Sequence, residues 1–213
     1  MAIGRVAISI GPLARRFGVA RLALDVSIVA GLVALFLVTF VTRTFYIPSV
    51  SMVPTLQVGD VLLVDEVAYR FRPPGEGDVA VFTPPIGSGG SDFVKRVIGT
   101  PGDTIAISNG VVSRNGTPLR EPYENQPPTY DLAIAKYGIY VNGDPLDPRV
   151  ANVPPPALWQ APNRIPAGFY FVLGDNRNYS DDSHVWGFVR RPSFVGRAFL
   201  ILWPLDRLHA LEK

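Results

Sequence analysis

The sequence contains no cysteine and only two histidines, His184 and His209, in 213 residues. Disulfide frameworks, thiolate zinc sites and thiol nucleophiles are thereby excluded. Two histidines are too few for a histidine metal cage, so neither a metal nor an organic cofactor is expected. Long amphipathic helical patterns and internal repeats are also missing. So is a basic surface on the body of the chain, which a nucleic-acid partner would require. The net charge of +2 divides unevenly: residues 1–43 hold five arginines against Asp25 alone, net +4, and the other 170 residues carry −2. A basic head on a near-neutral body reads as a membrane topology signal.

What is present first is apolar length. Residues 22–42 read LALDVSIVAGLVALFLVTFVT, and 47% of the chain is hydrophobic, as one strongly apolar segment would produce. At about 1.5 Å per residue these positions make a helix of roughly 31 Å, enough to cross a hydrocarbon core. Asp25 sits near the start, four residues after Arg21. A buried core helix would show a solvent-facing polar stripe, and none recurs here. A cleaved signal peptide would have an apolar core of only ~7–15 residues ending in small residues; here the longer run is followed by TRTFYIPS. The segment is therefore expected to be an uncleaved transmembrane helix. Four arginines precede it and one follows, which places a basic tail (1–21) in the cytoplasm and residues 43–213 on the extracytoplasmic side.

Beyond the anchor the chain breaks into short apolar runs punctuated by Pro and Gly. VLLVDEVAYR (61–70), DVAVFTPP (78–85), FVKRVIGTP (93–101), GFYFVLGD (168–175) and VGRAFLILW (195–203) read as strands. TIAIS-NG-VVSR-NG-TPL (104–119) places two Asn-Gly pairs between strand-like runs, the signal of tight hairpins. The expected fold is a mostly β, antiparallel catalytic domain. FLILW is too short for a second membrane span. Residues 120–166 are dense in proline and weak in strand signal apart from GIYV. They read as an insertion or cap, and the PPP run is equally compatible with a disordered loop.

Three segments hold groups that could do chemistry. Ser51 stands in IPSVSMVPTLQVGD, about nine residues past the apolar segment. Lys95 stands inside the apolar run FVKRVIGTPGD. A polar cluster, GDNRNYSDDSHVWGFV, lies between strand-like runs. Ser51 alone is no more than a serine in a Pro-flanked loop. Lys95 is more informative: at its reference pKa of ~10.4 only about one amine in a thousand is neutral near pH 7.5. Only the neutral amine can take a proton from a serine hydroxyl, and burial supplies it by disfavouring the ammonium. On an alternating strand Phe93, Lys95 and Val97 share one face while Arg96 faces away. An edge lysine with its ammonium in water is the competing reading from this segment alone.

Taken together, PSVSM-VPTL, KRVIGTPGD and the GDNR cluster resemble, in order and spacing, the sequence boxes of bacterial type I signal peptidases (leader peptidases), which are Ser–Lys serine proteases. The likeness runs from about the apolar segment to residue 204. It implies Ser51 as nucleophile and Lys95 as general base. It implies Ser49 as an oxyanion donor beside the Ser51 N–H, Ser180 as the residue orienting the lysine amine, and Asp182 as acidic support. Ile47, Met52, Leu56, Phe93 and Val94 fall where the family builds shallow apolar pockets for small side chains. The implied partners are preproteins bearing signal peptides cut at A-x-A sites, together with membrane lipid, and the implied location is the bacterial cytoplasmic membrane. Three positions depart from the pattern: Val50 stands where glycine is usual, Tyr179 replaces an asparagine, and His184 replaces an arginine paired with the acidic residue. With a β-branched residue at 50 the loop must be extended there. His184 also raises a Ser51–His184–Asp182 triad, which leaves Lys95 in its apolar setting without a role. Two other readings of the function stand beside this one: a Ser–Lys peptidase dedicated to a conjugative or pilus substrate, and a catalytically silent, membrane-tethered binding factor for exported chains.

Overall fold

The computed structural model describes residues 21–33, 42–85 and 90–212. The chain divides into two units, one ending at Val41 and one beginning at Thr42. In the first unit residues 21–33 form a helix, α1, that is apolar apart from Arg21, Asp25 and Ser27, and its Leu22, Leu24, Ile28, Val29 and Leu32 side chains are exposed. The one hydroxyl among them, on Ser27, donates back to the Ala23 carbonyl at 2.8 Å. Among the described residues no helix is long and apolar enough to cross a membrane. Of the expected span 22–42, residues 34–41 lie outside the described residues, and Thr42 belongs to a strand.

The second unit is built from antiparallel strands. In chain order they are β1 (Thr42–Tyr46), β2 (Val61–Asp65), β3 (Val79–Phe82), β4 (Phe93–Gly99), β5 (Ile105–Ser108), β6 (Val111–Arg114), β7 (Thr117–Pro118), β8 (Leu132–Ala135), β9 (Gly138–Val141), β10 (Asp144–Pro145), β11 (Phe169–Leu173), β12 (Val189–Arg190), β13 (Phe194–Trp203) and β14 (His209–Ala210). One-turn helices, α2 (Ala68–Phe71) and α3 (Ser183–Trp186), interrupt them. The larger sheet runs β1-β2-β13-β3-β4-β11-β12, with β14 on the far part of β13, and the smaller runs β10-β9-β8-β5-β6-β7.

The larger sheet is held by burial on both of its faces. Strand alternation sends Val79 and Val81 of β3 into a cluster with Leu62, Val64 and Ile201. Ala80 and Phe82 go to the opposite cluster, with Tyr170, Val172 and Trp186. In β11 the alternate set Phe169, Phe171 and Leu173 joins a third cluster with Ile105, Ile107, Ile134 and Ile139 from the smaller sheet. Each fully buried Phe or Leu contributes roughly 1.5–3 kcal/mol. Strand β4 lies between β3 and β11, where the three clusters meet, and Lys95 sits in it opposite Ala80. The sequence pattern therefore puts a buried lysine in a strand flanked on both sides within the larger sheet.

The segment 120–166, weak in strand signal apart from GIYV, belongs in part to the smaller sheet. That sheet begins already at β5, and the Pro-rich segment contributes three of its strands, β8, β9 and β10. Both Asn-Gly pairs form the turns expected of them. Asn109 and Gly110 take φ of 49° and 76°, Asn115 and Gly116 53° and 78°, the left-handed pair that matches the twist of two adjoining strands. In the stretch 61–70 the strand stops at Asp65, whose carboxylate accepts the N–H groups of Val67 and Ala68 and turns the chain into α2.

Candidate active site

The loop between β1 and β2 is closed on itself before it carries anything. The Ile47 N–H donates to the Asp60 carbonyl and the Gly59 N–H to the Ile47 carbonyl, both at 2.9 Å. The buried Asp60 carboxylate accepts the Gln57 N–H and a two-pronged contact from Arg207, whose guanidinium also reaches the Thr55 carbonyl. Val50 does not take the positive φ that its β-branched side chain would resist.

Ser51, at the middle of this loop, is buried beneath the surface. Its Oγ lies 2.5 Å from Lys95 Nζ and 3.2 Å from Ser49 Oγ. Its carbonyl accepts the Asn176 N–H, and the Val50 carbonyl accepts the Asn176 side-chain amide, both at 3.1 Å. This two-point hold leaves the Ser51 N–H with no acceptor among the described residues. A backbone N–H without an acceptor is available to donate to a developing oxyanion.

Lys95 is 4% exposed, and burial lowers its amine from the ordinary lysine value to about 8, against the opposing charges of Asp182, Asp181 and Asp175. The Phe93 ring lies 5.5 Å from the ammonium position. Arg96 faces away from Lys95 but does not reach solvent. Its guanidinium meets the wholly buried Asp175 in two parallel contacts of 2.9 and 2.8 Å, and stacks 3.7 Å from the Tyr123 ring centre. Asp175 also accepts the Thr55 hydroxyl at 2.5 Å, which ties the serine loop to the strand that bears the lysine.

The other expected residues fall in graded positions. Asp182 is fully buried, accepts the Gly174 N–H at 2.8 Å, caps α3 through the His184 N–H, and pairs with His184 Nδ1 at 2.7 Å. The His184 ring stacks on Tyr130 and makes no bond to Ser51. Ser180 Oγ is buried near the dyad without a hydrogen-bond partner among the described residues, so no bond joins it to the Lys95 amine. Ile47, Met52, Phe93 and Val94 line an open cleft alongside Ser49, Val50 and Ser51. Leu56 does not: it is completely buried in the core cluster behind the cleft, against the Met52 side.

Four positions matter that the sequence reading did not single out: Thr55, Asn176 and the pair Arg96–Asp175. Asp175 and Asn176 were visible only as letters of the GDNR box, because their partners lie 79 to 126 residues away. Gly174 is the fifth. A Cβ there would collide with the Ser51 carbonyl oxygen and with Ser180 Oγ, so the strand end and the serine loop approach as closely as glycine alone permits. Gly174→Ala is therefore expected to push the Ser51 loop outward and lower kcat/KM about 100-fold, as misplacing a reacting group does. Steady-state kinetics beside a melting curve check this, and wild-type kcat/KM in a folded variant would contradict it.

As a chemical arrangement, a hydroxyl bonded to an amine whose pKa burial has lowered, next to a free backbone N–H, a second serine hydroxyl and an apolar cleft, is equipped for nucleophilic attack on a carbonyl. Residues 20–203 match the family described as signal peptidase, peptidase S26. A signal peptidase I of Leptolyngbya laminosa is 41% identical over 179 residues, covering 81% of this chain and 74% of that protein. A probable signal peptidase I of Synechocystis is 42% identical over 185 residues, covering 84% and 80%. Signal peptidase IB of Staphylococcus aureus is 36% identical over 182 residues, covering 85% and 88%.

Proposed function

Because the chain belongs to the signal peptidase family, peptidase S26, we propose that it removes signal peptides from exported preproteins with Ser51 as nucleophile and Lys95 as general base. The observation that carries this reading is the 2.5 Å contact between Ser51 Oγ and a lysine amine that burial lowers to about 8. Neutral Lys95 takes the hydroxyl proton as Ser51 Oγ bonds to the scissile carbonyl carbon. The carbonyl oxygen becomes an oxyanion facing the Ser51 N–H and Ser49 Oγ. The C–N bond then breaks, and the Lys95 ammonium returns its proton to the leaving amine of the mature protein. The signal peptide stays as an ester on Ser51 until water, deprotonated by Lys95, releases it. Each oxyanion donor contributes about 2.7–4 kcal/mol to such a transition state.

The shallow apolar cleft supports specificity for small residues before the cut, of the A-x-A kind. The apolar faces of α1 support an N-terminal membrane anchor over residues 22–42, with the second unit on the extracytoplasmic side of a bacterial cytoplasmic membrane. About nine residues then separate the anchor from Ser51, which holds the nucleophile where a membrane-bound signal peptide offers its cleavage site.

The pH dependence tests the assignment of the base. Only neutral Lys95 is competent, and an amine at about 8 is half neutral at that pH. The acylation rate is expected to rise tenfold per pH unit up to about 8 and level off above it, so that pH 6 gives about one hundredth of the plateau. A single-turnover pH–rate profile measures this. A break near 6.5 instead would make a histidine the base and remove Lys95 from that role.

A further inference from the structure

The cleft beside Ser51 has an apolar floor and an acidic rim. Ile47, Met52, Phe93 and Val94 supply the floor, and the carboxylates of Asp92 and Asp181 stand along the same cleft. No lysine or arginine lines it among the described residues. Asp181 is exposed and has no hydrogen-bond or salt-bridge partner among the described residues; its charge acts on the buried Lys95 amine from the edge of the cleft. Asp92 is held by the Thr83 hydroxyl at 2.9 Å. Tyr179, 69% exposed, lines the cleft two residues before Asp181, and the face of such a ring attracts cations.

A peptide bound in extended form presents alternate side chains to opposite sides. With the two small residues of an A-x-A segment on the apolar floor, the residue x and the first residue of the mature chain both turn away from it, toward the rim. We propose that Asp92, Asp181 and Tyr179 make this rim a charge filter, which favours preproteins with a basic residue at x or at the first mature position and rejects acidic ones. The proposal rests on the signal-peptide reading above for the placement of the substrate, and on the cleft lining alone for the sign of the charge. The carboxylates act on the bound chain by position and field; they take no part in proton transfer.

Internally quenched peptides with one A-x-A site, carrying Gln, Lys or Glu at x or at the first mature position, test it against the full chain in detergent. At low ionic strength the Lys peptides are expected to show kcat/KM about tenfold above the Glu peptides, since two carboxylates a few ångströms from a partly hydrated charge act at that level. The ratio should shrink as salt is added, because the rim is open to solvent. In the Asp92→Asn/Asp181→Asn double variant it should fall below about threefold. Binding of the same peptides to Ser51→Ala, read by fluorescence anisotropy, gives the charge preference without any turnover. Equal kcat/KM for Lys and Glu peptides, a preference for Glu, or a Lys preference undiminished in the double variant would overturn the filter while cleavage of the Gln peptides leaves the function standing. Failure to cut any peptide, with Lys still favoured in binding, would instead remove the proposed reaction and keep the filter.

Discussion

Lys95→Met is expected to lower kcat/KM at least about 1000-fold while making the folded protein more stable. In the proposed mechanism Lys95 is the general base and no neighbouring group replaces it, and such bases contribute about 100- to 10,000-fold. His184, bonded to Asp182 and stacked on Tyr130, makes no contact with Ser51 that would let it substitute. His184→Ala should accordingly stay within about tenfold of wild type, since it removes support and not the base. The stability gain has a defined pH window. Lys95 titrates at about 8 in the folded protein against 10.5 for an ordinary lysine, so its ammonium disfavours folding. That penalty is complete below about pH 8, at most roughly 3 kcal/mol, and disappears as pH rises through the unfolded value. Methionine fills similar space without charge, so its denaturation midpoint at pH 7 should lie above that of wild type and coincide with it near pH 11. Retained activity, or a midpoint below wild type at pH 7, would remove Lys95 from the role of buried base.

Asp175→Ala is expected to cost about 3–5 kcal/mol of stability, because it leaves the Arg96 guanidinium buried and unpaired. For a folded unit of this size that is a fall in melting temperature of about 6–20 °C. Activity should fall as well, since the Thr55 hydroxyl loses the acceptor that ties the Ser51 loop to the end of β11. Replacing both partners, Arg96→Met with Asp175→Leu, removes the unpaired charge and should recover more than half of the lost stability without restoring activity. Chemical denaturation of the three variants measures this. A cost below 1 kcal/mol for Asp175→Ala would mean that the pair does not hold the site together.

The strands of the larger sheet were legible because their sequences alternate or run apolar between Gly and Pro. Lys95 stood out for the same reason, as a charge where only apolar residues were expected. The Asn-Gly turns were legible because few other pairs tolerate φ near 50° and 76° in succession. The hairpin between β8 and β9 escaped notice for the converse reason. Lys136 and Tyr137 take φ of 47° and 61° there, a conformation their side chains do not advertise. It is held from outside, by the Tyr137 N–H bonded to the Pro162 carbonyl and by the Tyr137 ring set edge-on to Trp159. The ties that fix the site were hidden by distance along the chain. Nothing local to Thr55 points to Asp175, or to Asn176 from Val50. Leu56 carries the same apolar character as its neighbours in the Ser51 loop, and only the turn of the chain decides that it faces the core and not the cleft.

In the proposed reaction Ser51 opens the peptide bond behind an A-x-A segment. The most direct test is the intact mass of the products when a preprotein with one such site is incubated with the detergent-solubilised full chain and with Ser51→Ala. Wild type is expected to yield a mature protein beginning immediately after the second alanine, and a folded Ser51→Ala to leave the preprotein unchanged. A wild-type cut elsewhere, or processing by Ser51→Ala at a comparable rate, would contradict this reaction.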